Sequence, residues 1–331
     1  MNRLLFKITL ILLILSGSAL FTMADGKEPV FVSIVPQKYF VQQIGKDLVD
    51  VQIMVQPGSN PATYEPKPQQ MAALSNAEIY FSIGVPFEKA WLEKIAATNP
   101  RMKVVHTDRG IEKMAMGAHH HHEEHVAEEH EQHGHGHGKE ENHHHESGHD
   151  HGKGEHHEEA KNENGHHEHA GLDPHIWLSP PLVRTQARTI TTALQEIDPA
   201  HREVYDANFR QFVAKIDRLD NELRKIFEGK FGTQFMVFHP AWGYFAEAYG
   251  LKQVPIEIEG KDPKPAQLKE LIQHARENDI RVIFVQPQFS TKSASIVARE
   301  IGGQVVFADP LAEDWMANLR GVAAKFKAAL R

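Results

Sequence analysis

Two blocks of the chain alternate short apolar runs with amphipathic segments, and this pattern predicts strands and helices in turn. The runs predict strands at Val30–Val35, Val49–Val55, Glu78–Gly84, Lys103–His106, Phe235–Phe238, Gln253–Ile258, Arg281–Gln286 and Gln304–Ala308. The helical period predicts helices at Gln37–Lys46, Lys67–Ser75, Phe87–Ala97, Ala241–Tyr249, Ala266–Asn278, Thr291–Ile301 and Leu311–Leu330. Alternating strands and helices favour parallel sheets covered on both faces, so we expect an α/β fold with two lobes.

A long amphipathic helix is predicted between the two blocks. Ser179-Pro180 and Asp198-Pro199 each pair an N-cap residue with a proline that suits the first turn of a helix. After the second pair, apolar residues recur in steps of four and three, at Tyr205, Phe209, Phe212, Ile216, Leu219, Leu223 and Ile226. A stripe over about 30 residues, roughly 45 Å of helix, is long enough to lie along both lobes and hold them at a fixed separation. A coiled-coil dimer is the alternative interpretation of the stripe.

The first 24 residues have the layout of a secretory signal. Arg3 and Lys7 precede the unbroken apolar run Ile8–Leu15, and Thr22 and Ala24 are small residues placed for cleavage before Asp25. The apolar core is shorter than the ~20 residues that a membrane-spanning helix needs. The sequence therefore predicts cleavage and an exported mature protein that does not span the membrane, with an uncleaved membrane anchor as the alternative interpretation.

A histidine-rich insert occupies residues 119–169 and holds 19 of the 24 histidines. Its carboxylates and three lysines give it a charge of −11 with neutral histidine, so the rest of the chain carries +3. It contains no Ile, Leu, Phe, Met, Trp or Tyr, and we expect it to be disordered because it has no apolar face to bury. Imidazoles at this density predict binding of Zn²⁺, with Ni²⁺, Cu²⁺ and Co²⁺ as alternatives.

The predicted organisation follows from these segments. A signal peptide covers 1–24, an N-terminal lobe covers 25–197 and contains the insert 119–169, a linking helix covers 198–228, and a C-terminal lobe covers 229–331.

Composition excludes several classes of protein. The chain has no cysteine, so disulfide scaffolds, cysteine-ligated zinc fingers and thiol nucleophiles are ruled out. The predicted lobes have no basic patch of the kind that nucleic-acid binding needs, and no glycine-rich phosphate loop.

Three residues outside the insert combine ligand chemistry with a favourable position. His239 and Asp309 each follow a predicted strand of the C-terminal lobe, and ligands of parallel sheets bind beyond the carboxyl ends of strands. His175 follows the insert and precedes a helix. Two imidazoles and a carboxylate suit a first-row divalent metal, although each residue alone also fits a purely structural role.

Four motifs containing these residues resemble those of the zinc/manganese-type periplasmic solute-binding proteins of ABC importers, in the high-affinity zinc-binding branch. They are Gly58-Ser59-Asn60-Pro61-Ala62-Thr63-Tyr64-Glu65-Pro66, Asp173-Pro174-His175-Ile176-Trp177-Leu178-Ser179-Pro180, Phe238-His239-Pro240-Ala241-Trp242-Gly243-Tyr244-Phe245 and Ala308-Asp309-Pro310-Leu311. The resemblance implies two lobes joined by a rigid helix, and a metal bound between them by His175, His239 and Asp309. It further implies delivery of the metal to a membrane permease. We expect a monomer, because the long helix is interpreted as an intramolecular brace, and no catalysis, because the sequence outside the insert has no HExxH motif.

The chain departs from the family pattern at Ala62, where a histidine is usual. A methyl group cannot bind a metal, so the fourth ligand is water, Glu65, or an insert histidine such as His166, His167 or His169. Zn²⁺ is the expected cargo, with Mn²⁺ and Ni²⁺ as alternatives. Two other functions stay open: a periplasmic metal buffer or chaperone, and a zinc hydrolase in which Glu65 is the candidate base.

Overall fold

The computed structural model describes residues 26–116, 171–258 and 260–330. The predicted signal peptide and the histidine-rich insert lie outside the described residues. Within the described part of the chain, no helix has both the length and the apolar character needed to cross a membrane.

The described chain forms two parallel four-stranded sheets with the same strand order. The first sheet has the order β2-β1-β3-β4 and the second has the order β6-β5-β7-β8. The strands are β1 Glu28–Val32, β2 Val49–Ile53, β3 Ile79–Ser82, β4 Lys103–His106, β5 Gln234–Val237, β6 Lys252–Pro255, β7 Val282–Val285 and β8 Gln304–Phe307. All eight predicted strands are confirmed, with ends that differ by up to three residues.

Nine α-helices occur in the described residues: α1 Val35–Gly45, α2 Pro68–Ala73, α3 Pro86–Thr98, α4 Pro180–Ile197, α5 Arg202–Ile226, α6 Gly243–Ala248, α7 Pro265–Glu277, α8 Lys292–Glu300 and α9 Trp315–Ala329. The last helix begins at Trp315, so the predicted start at Leu311 is wrong. Asp314 caps it, because its Oδ1 accepts a hydrogen bond from the Ala317 backbone nitrogen at 3.0 Å.

The long helix α5 has the predicted stripe on its buried face, but its start differs from the prediction. Pro199–His201 forms a single 3-10 turn, and the α-helix begins at Arg202. Asp198 does not cap the first turn of α5 with its side chain. Its Oδ2 instead accepts a hydrogen bond from the Tyr205 hydroxyl at 2.7 Å and lies 2.7 Å from His201 Nδ1.

Side chains along α5 contact both lobes in order. Asn208 donates to the carbonyl of Ile44 in α1, and Lys215 donates to Gln43 of the same helix. One to two turns further on, Asp220 accepts from Tyr249 in the C-terminal lobe, and Glu222 pairs with Arg320 of α9. The apolar stripe is buried within this one chain, which confirms a helix that lies along both lobes.

Two buried tryptophans, Trp315 of α9 and Trp177, link α9 and α1 to the loop that follows β8. The indole nitrogen of Trp315 donates to the Trp177 carbonyl at 2.7 Å. The indole nitrogen of Trp177 in turn donates to the Pro310 carbonyl at 2.8 Å. Trp315 also packs edge-on against Phe40 of α1, with ring centroids 5.1 Å apart. These contacts fix the backbone just after His175 and just after Asp309.

Candidate metal site

His239 lies just beyond the carboxyl end of β5, at the point where the chain connections of the second sheet diverge. Strand β5 has β6 on one side and β7 on the other, and ligands of parallel sheets bind in the crevice at such a switch point. Gln286, which follows β7, accepts a hydrogen bond from the His239 nitrogen at 3.3 Å and donates to its carbonyl at 2.7 Å. The position of His239 is therefore set by the two central strands together.

The imidazole of His239 is held by a carboxylate and an aromatic ring. Its Nδ1 lies 3.1 Å from both carboxylate oxygens of Glu257, and its ring stacks on Phe289 at 4.7 Å between centroids. Burial lowers the pKa of His239 below its ordinary value, and the hydrogen bond to Glu257 only partly opposes this. The ring is therefore neutral at neutral pH, with Nδ1–H directed at Glu257 and Nε2 left with a lone pair for a ligand.

His175 has the same arrangement. Its Nδ1 lies 2.7 Å from Asp173 Oδ1, and the same oxygen accepts a hydrogen bond from the His175 backbone nitrogen at 2.8 Å. Asp173 is almost fully buried, and His175 is 8% exposed. A carboxylate paired with Nδ1 fixes the tautomer that leaves Nε2 as the metal-binding atom.

The two histidine rings lie next to each other, with centroids 5.2 Å apart and planes at 71°. With a Zn–N distance of about 2.1 Å and a tetrahedral angle, two ligating imidazoles have centroids roughly 5 Å apart. The ring spacing therefore fits two ligands of one zinc ion.

Asp309 does not join the two imidazoles. Its Oδ1 accepts hydrogen bonds from Gln288 Nε2 at 3.0 Å and from the Leu311 nitrogen at 2.9 Å, so the carboxylate caps its own turn. Among the residues that the structure describes, no three His, Asp or Glu side chains are grouped closely enough to hold one metal ion. The structure thus brings together two of the three predicted ligands.

A pocket contains the two imidazoles and is lined from both lobes. Its lining residues are Asn60, Pro61, Ala62, Val85, Pro86, Met116, Pro174, His175, Trp177, His239, Gln288, Phe289, Pro310 and Leu311. Ala62 therefore faces the site, as the family pattern implies for this position. Glu65 is exposed and is not among the lining residues, and His166, His167 and His169 lie outside the described residues.

The two segments that flank the insert are tied together beside this pocket. We call Met114–Met116 and Gly171–Asp173 the insert stem. The Met116 nitrogen donates to the Gly171 carbonyl at 2.9 Å, and the Asp173 nitrogen donates to the Met114 carbonyl at 2.8 Å. The Tyr244 hydroxyl accepts from the Met114 nitrogen and donates to the Asp173 carbonyl. The two segments that flank the insert therefore meet beside the pocket, and Met116 is part of its lining.

Sequence reasoning missed the two carboxylates that orient the imidazoles. The sequence held a clue to each carboxylate. Asp173 stands two residues before His175. Glu257 follows β6 and His239 follows β5, and the carboxyl ends of these two paired parallel strands lie side by side. The other described histidines have partners elsewhere. His106 lies near Ser82, His201 near Asp198 and His274 near Gln234, and none of the three lines the pocket.

The fold consists of two α/β lobes with parallel sheets, and one long helix lies along both. Two imidazoles share a pocket that both lobes line. This combination defines a metal-binding solute-binding protein of the importer type. Residues 30–329 match the family described as ZnuA, zinc-uptake complex component A, periplasmic. The chain belongs to this family, which confirms the predicted zinc-type class of periplasmic solute-binding proteins.

Similar proteins of known sequence and of known structure agree with this assignment. The chain is 30% identical over 279 residues to the high-affinity zinc uptake system protein ZnuA of Bacillus subtilis, covering 83% of this chain and 76% of that protein. A crystal structure of ZnuA is similar at 41% identity with a TM-score of 0.75, covering 92% of this chain and 99% of that one. A zinc-bound 138–173 deletion mutant of ZnuA is similar at 40% identity and a TM-score of 0.74, covering 92% and 98% of the two chains.

Proposed function

We propose that this protein captures Zn²⁺ outside the cytoplasm at His175 and His239 and delivers it to the permease of an ABC importer. The observation that carries the proposal is the pair of buried imidazoles 5.2 Å apart, each with a carboxylate at Nδ1. Membership of a zinc-uptake family supports the cargo and the importer. The protein acts in this proposal as a monomer that binds and releases its cargo without chemical change.

The two carboxylates make the pocket suitable for a dication. Asp173 and Glu257 are buried, and a buried charge is costly unless it is compensated. A zinc ion bound to the Nε2 atoms would be separated from each of these two carboxylates by the width of a single imidazole ring. Zinc binding therefore offsets the cost of burying the carboxylates, and the carboxylates raise the basicity of the ligands.

We further propose Asp309 as the third ligand. Pro310 and Leu311, the residues that follow it, line the pocket, and so does Gln288, which donates a hydrogen bond to its carboxylate. A carboxylate with two imidazoles is a donor set that zinc commonly takes.

The test of the function is metal content after purification without chelators, with anomalous scattering at the zinc edge to locate the tight site. We expect one zinc ion between His175 and His239. Zinc found only elsewhere, or a pocket that prefers another metal, would overturn the assignment of the cargo.

The insert is proposed to supply the fourth ligand and to collect zinc at low affinity. Ala62 leaves one position of a tetrahedral site unfilled, and the insert stem opens beside the pocket. Water and Glu65 are the other donors, and Glu65→Gln tests the latter.

Deleting residues 119–169 is expected to weaken the tight site by at least about tenfold, or 1.4 kcal/mol, and to lower the total number of zinc ions bound. The measurements are a competition titration for affinity and X-ray absorption for the ligands. Unchanged affinity together with unchanged ligand geometry would show that the insert contributes no ligand.

Zinc affinity is expected to fall as the pH drops from about 7 to about 5, because protons compete with zinc for imidazole nitrogen. Burial lowers the pKa of His239, the hydrogen bond to Glu257 opposes that shift, and His175 adds to it. A lowered pKa keeps the ring neutral to lower pH, so the loss is displaced to the acid side of the ordinary value of about 6.5. Competition titrations across this range measure it, and a flat affinity would contradict ligation by histidine.

The signal peptide is part of the same proposal. Cleavage before Asp25 predicts a mature chain that begins at that residue, and amino-terminal sequencing of the exported protein checks it.

A further inference from the structure

The loop between β7 and α8 contacts both His239 and Asp309. Gln286 holds the backbone of His239 through two hydrogen bonds, and Phe289 stacks on its imidazole. Gln288, between them, lines the pocket and donates from Nε2 to Asp309 Oδ1 at 3.0 Å. One short segment therefore sets the relative position of two predicted ligands.

The amide of Gln288 has only one sensible orientation. If it were flipped, its oxygen would face the Asp309 carboxylate, and two acceptors would repel each other. In the observed orientation, Oε1 is buried and has no hydrogen-bond donor among the described residues. Within the described residues, the amide thus directs its N–H at Asp309 while its buried oxygen has no partner, which points to a role beyond packing.

The hydrogen bonds to Asp309 leave its two oxygens unequal. Both bonds found within the described part of the chain, from Gln288 and from the Leu311 nitrogen, go to Oδ1. An oxygen that accepts two N–H groups is a poor additional metal ligand, whereas Oδ2 keeps its lone pairs. The carboxylate is therefore prepared to bind a metal through one oxygen only.

We propose that Gln288 is a specificity-determining residue that keeps Asp309 monodentate and so favours Zn²⁺ over Mn²⁺. The proposal rests on the proposed function, since it takes Asp309 as a ligand of the metal at His175 and His239. Zinc prefers four ligands in a tetrahedron, and a single carboxylate oxygen fits that number. Manganese favours octahedral, oxygen-rich sites, and a second oxygen from Asp309 would help to build one.

The test compares Gln288→Met with the wild-type protein, using Zn²⁺ and Mn²⁺ as probes. Methionine has a similar length but no N–H donor, so Oδ1 keeps only the hydrogen bond from the Leu311 nitrogen and regains a lone pair for the metal. We expect the ratio of the Mn²⁺ to the Zn²⁺ dissociation constant to fall by at least about tenfold. X-ray absorption at the zinc edge should show more oxygen in the first shell of the variant than of the wild type.

Gln273→Met is the matched control. Gln273 also donates its amide to a carboxylate, Glu277 at 2.8 Å, but on the exposed face of α7, outside the pocket. We expect this control to leave the ratio and the zinc spectrum unchanged. Gln288→Leu is the second variant if methionine prevents folding, because leucine also lacks an N–H donor, adds no charge or ligand to the pocket, and should lower the ratio.

The outcomes separate this inference from the proposed function. A Gln288 variant with the wild-type ratio and spectrum, in a protein whose zinc lies at His175 and His239, would overturn the inference and leave the function intact. Wild-type zinc located away from those imidazoles would overturn the proposed function, and the inference with it. A change in thermal stability alone, with an unchanged ratio, would assign Gln288 a structural role and also overturn the inference.

Discussion

Replacing His239 by alanine is expected to raise the dissociation constant for zinc by about a thousandfold or more, which corresponds to ~4 kcal/mol. The substitution removes one of the two imidazoles that the structure brings together. It also leaves the buried Glu257 carboxylate without the ring that links it to the metal. Competition with a chromophoric chelator measures the change.

Two further variants make this result interpretable. Glu257→Gln keeps the side-chain size but removes the charge beside Nδ1, and a loss of about 10- to 100-fold is typical for partners of metal ligands. His274→Ala removes a histidine of the same lobe whose Nε2 lies 2.7 Å from Gln234, away from the pocket, and should have no effect on zinc affinity. Wild-type affinity in His239→Ala would refute the proposed site.

Replacing Trp315 by alanine should lower the free energy of unfolding by about 3–5 kcal/mol, the usual cost of removing a large buried aromatic side chain. Trp315 is 1% exposed, packs against Phe40 of α1, and donates to the Trp177 carbonyl. The substitution therefore creates a cavity and leaves a buried carbonyl without its donor. Urea unfolding, compared at equal slope, measures the effect.

Trp91→Ala is the control for this substitution. Trp91 lies on α3 at the edge of the core and is only partly buried, so its loss should cost markedly less. A Trp315 variant as stable as the Trp91 variant would show that the contacts from α9 to α1 and Trp177 contribute little to the fold.

The fold was predictable from sequence because its periodic signals are strong and local. The eight strands are short apolar runs, and the stripe from Tyr205 to Leu223 is continuous. The errors fall where a side chain competes with a simple rule. Asp198 accepts a hydrogen bond from Tyr205 and does not cap α5. Asp314 caps α9, so that helix begins after Asp314 and not at the earlier residues that were predicted.

The site was predictable in part. His239 could be identified because it follows a predicted strand, and His175 because it lies between the insert and a predicted helix. The structure brings the two rings together. Their partners depend on the spatial neighbours of each ring, which no spacing along the chain encodes. The Gln288–Asp309 hydrogen bond joins two residues that are 21 positions apart in the sequence. They follow β7 and β8, which are neighbours in the sheet, so predicting this bond would have required the sheet order.

The long helix has a mechanical consequence. α5 is an unbroken run of 25 residues, about 38 Å at 1.5 Å per residue, with no glycine or proline at which its backbone could pivot. Its side chains are fastened to α1 near one end and to α9 near the other. Large opening about this rod would break those attachments, so we expect unloading of the cargo to involve rearrangement of the loops that follow β5, β7 and β8.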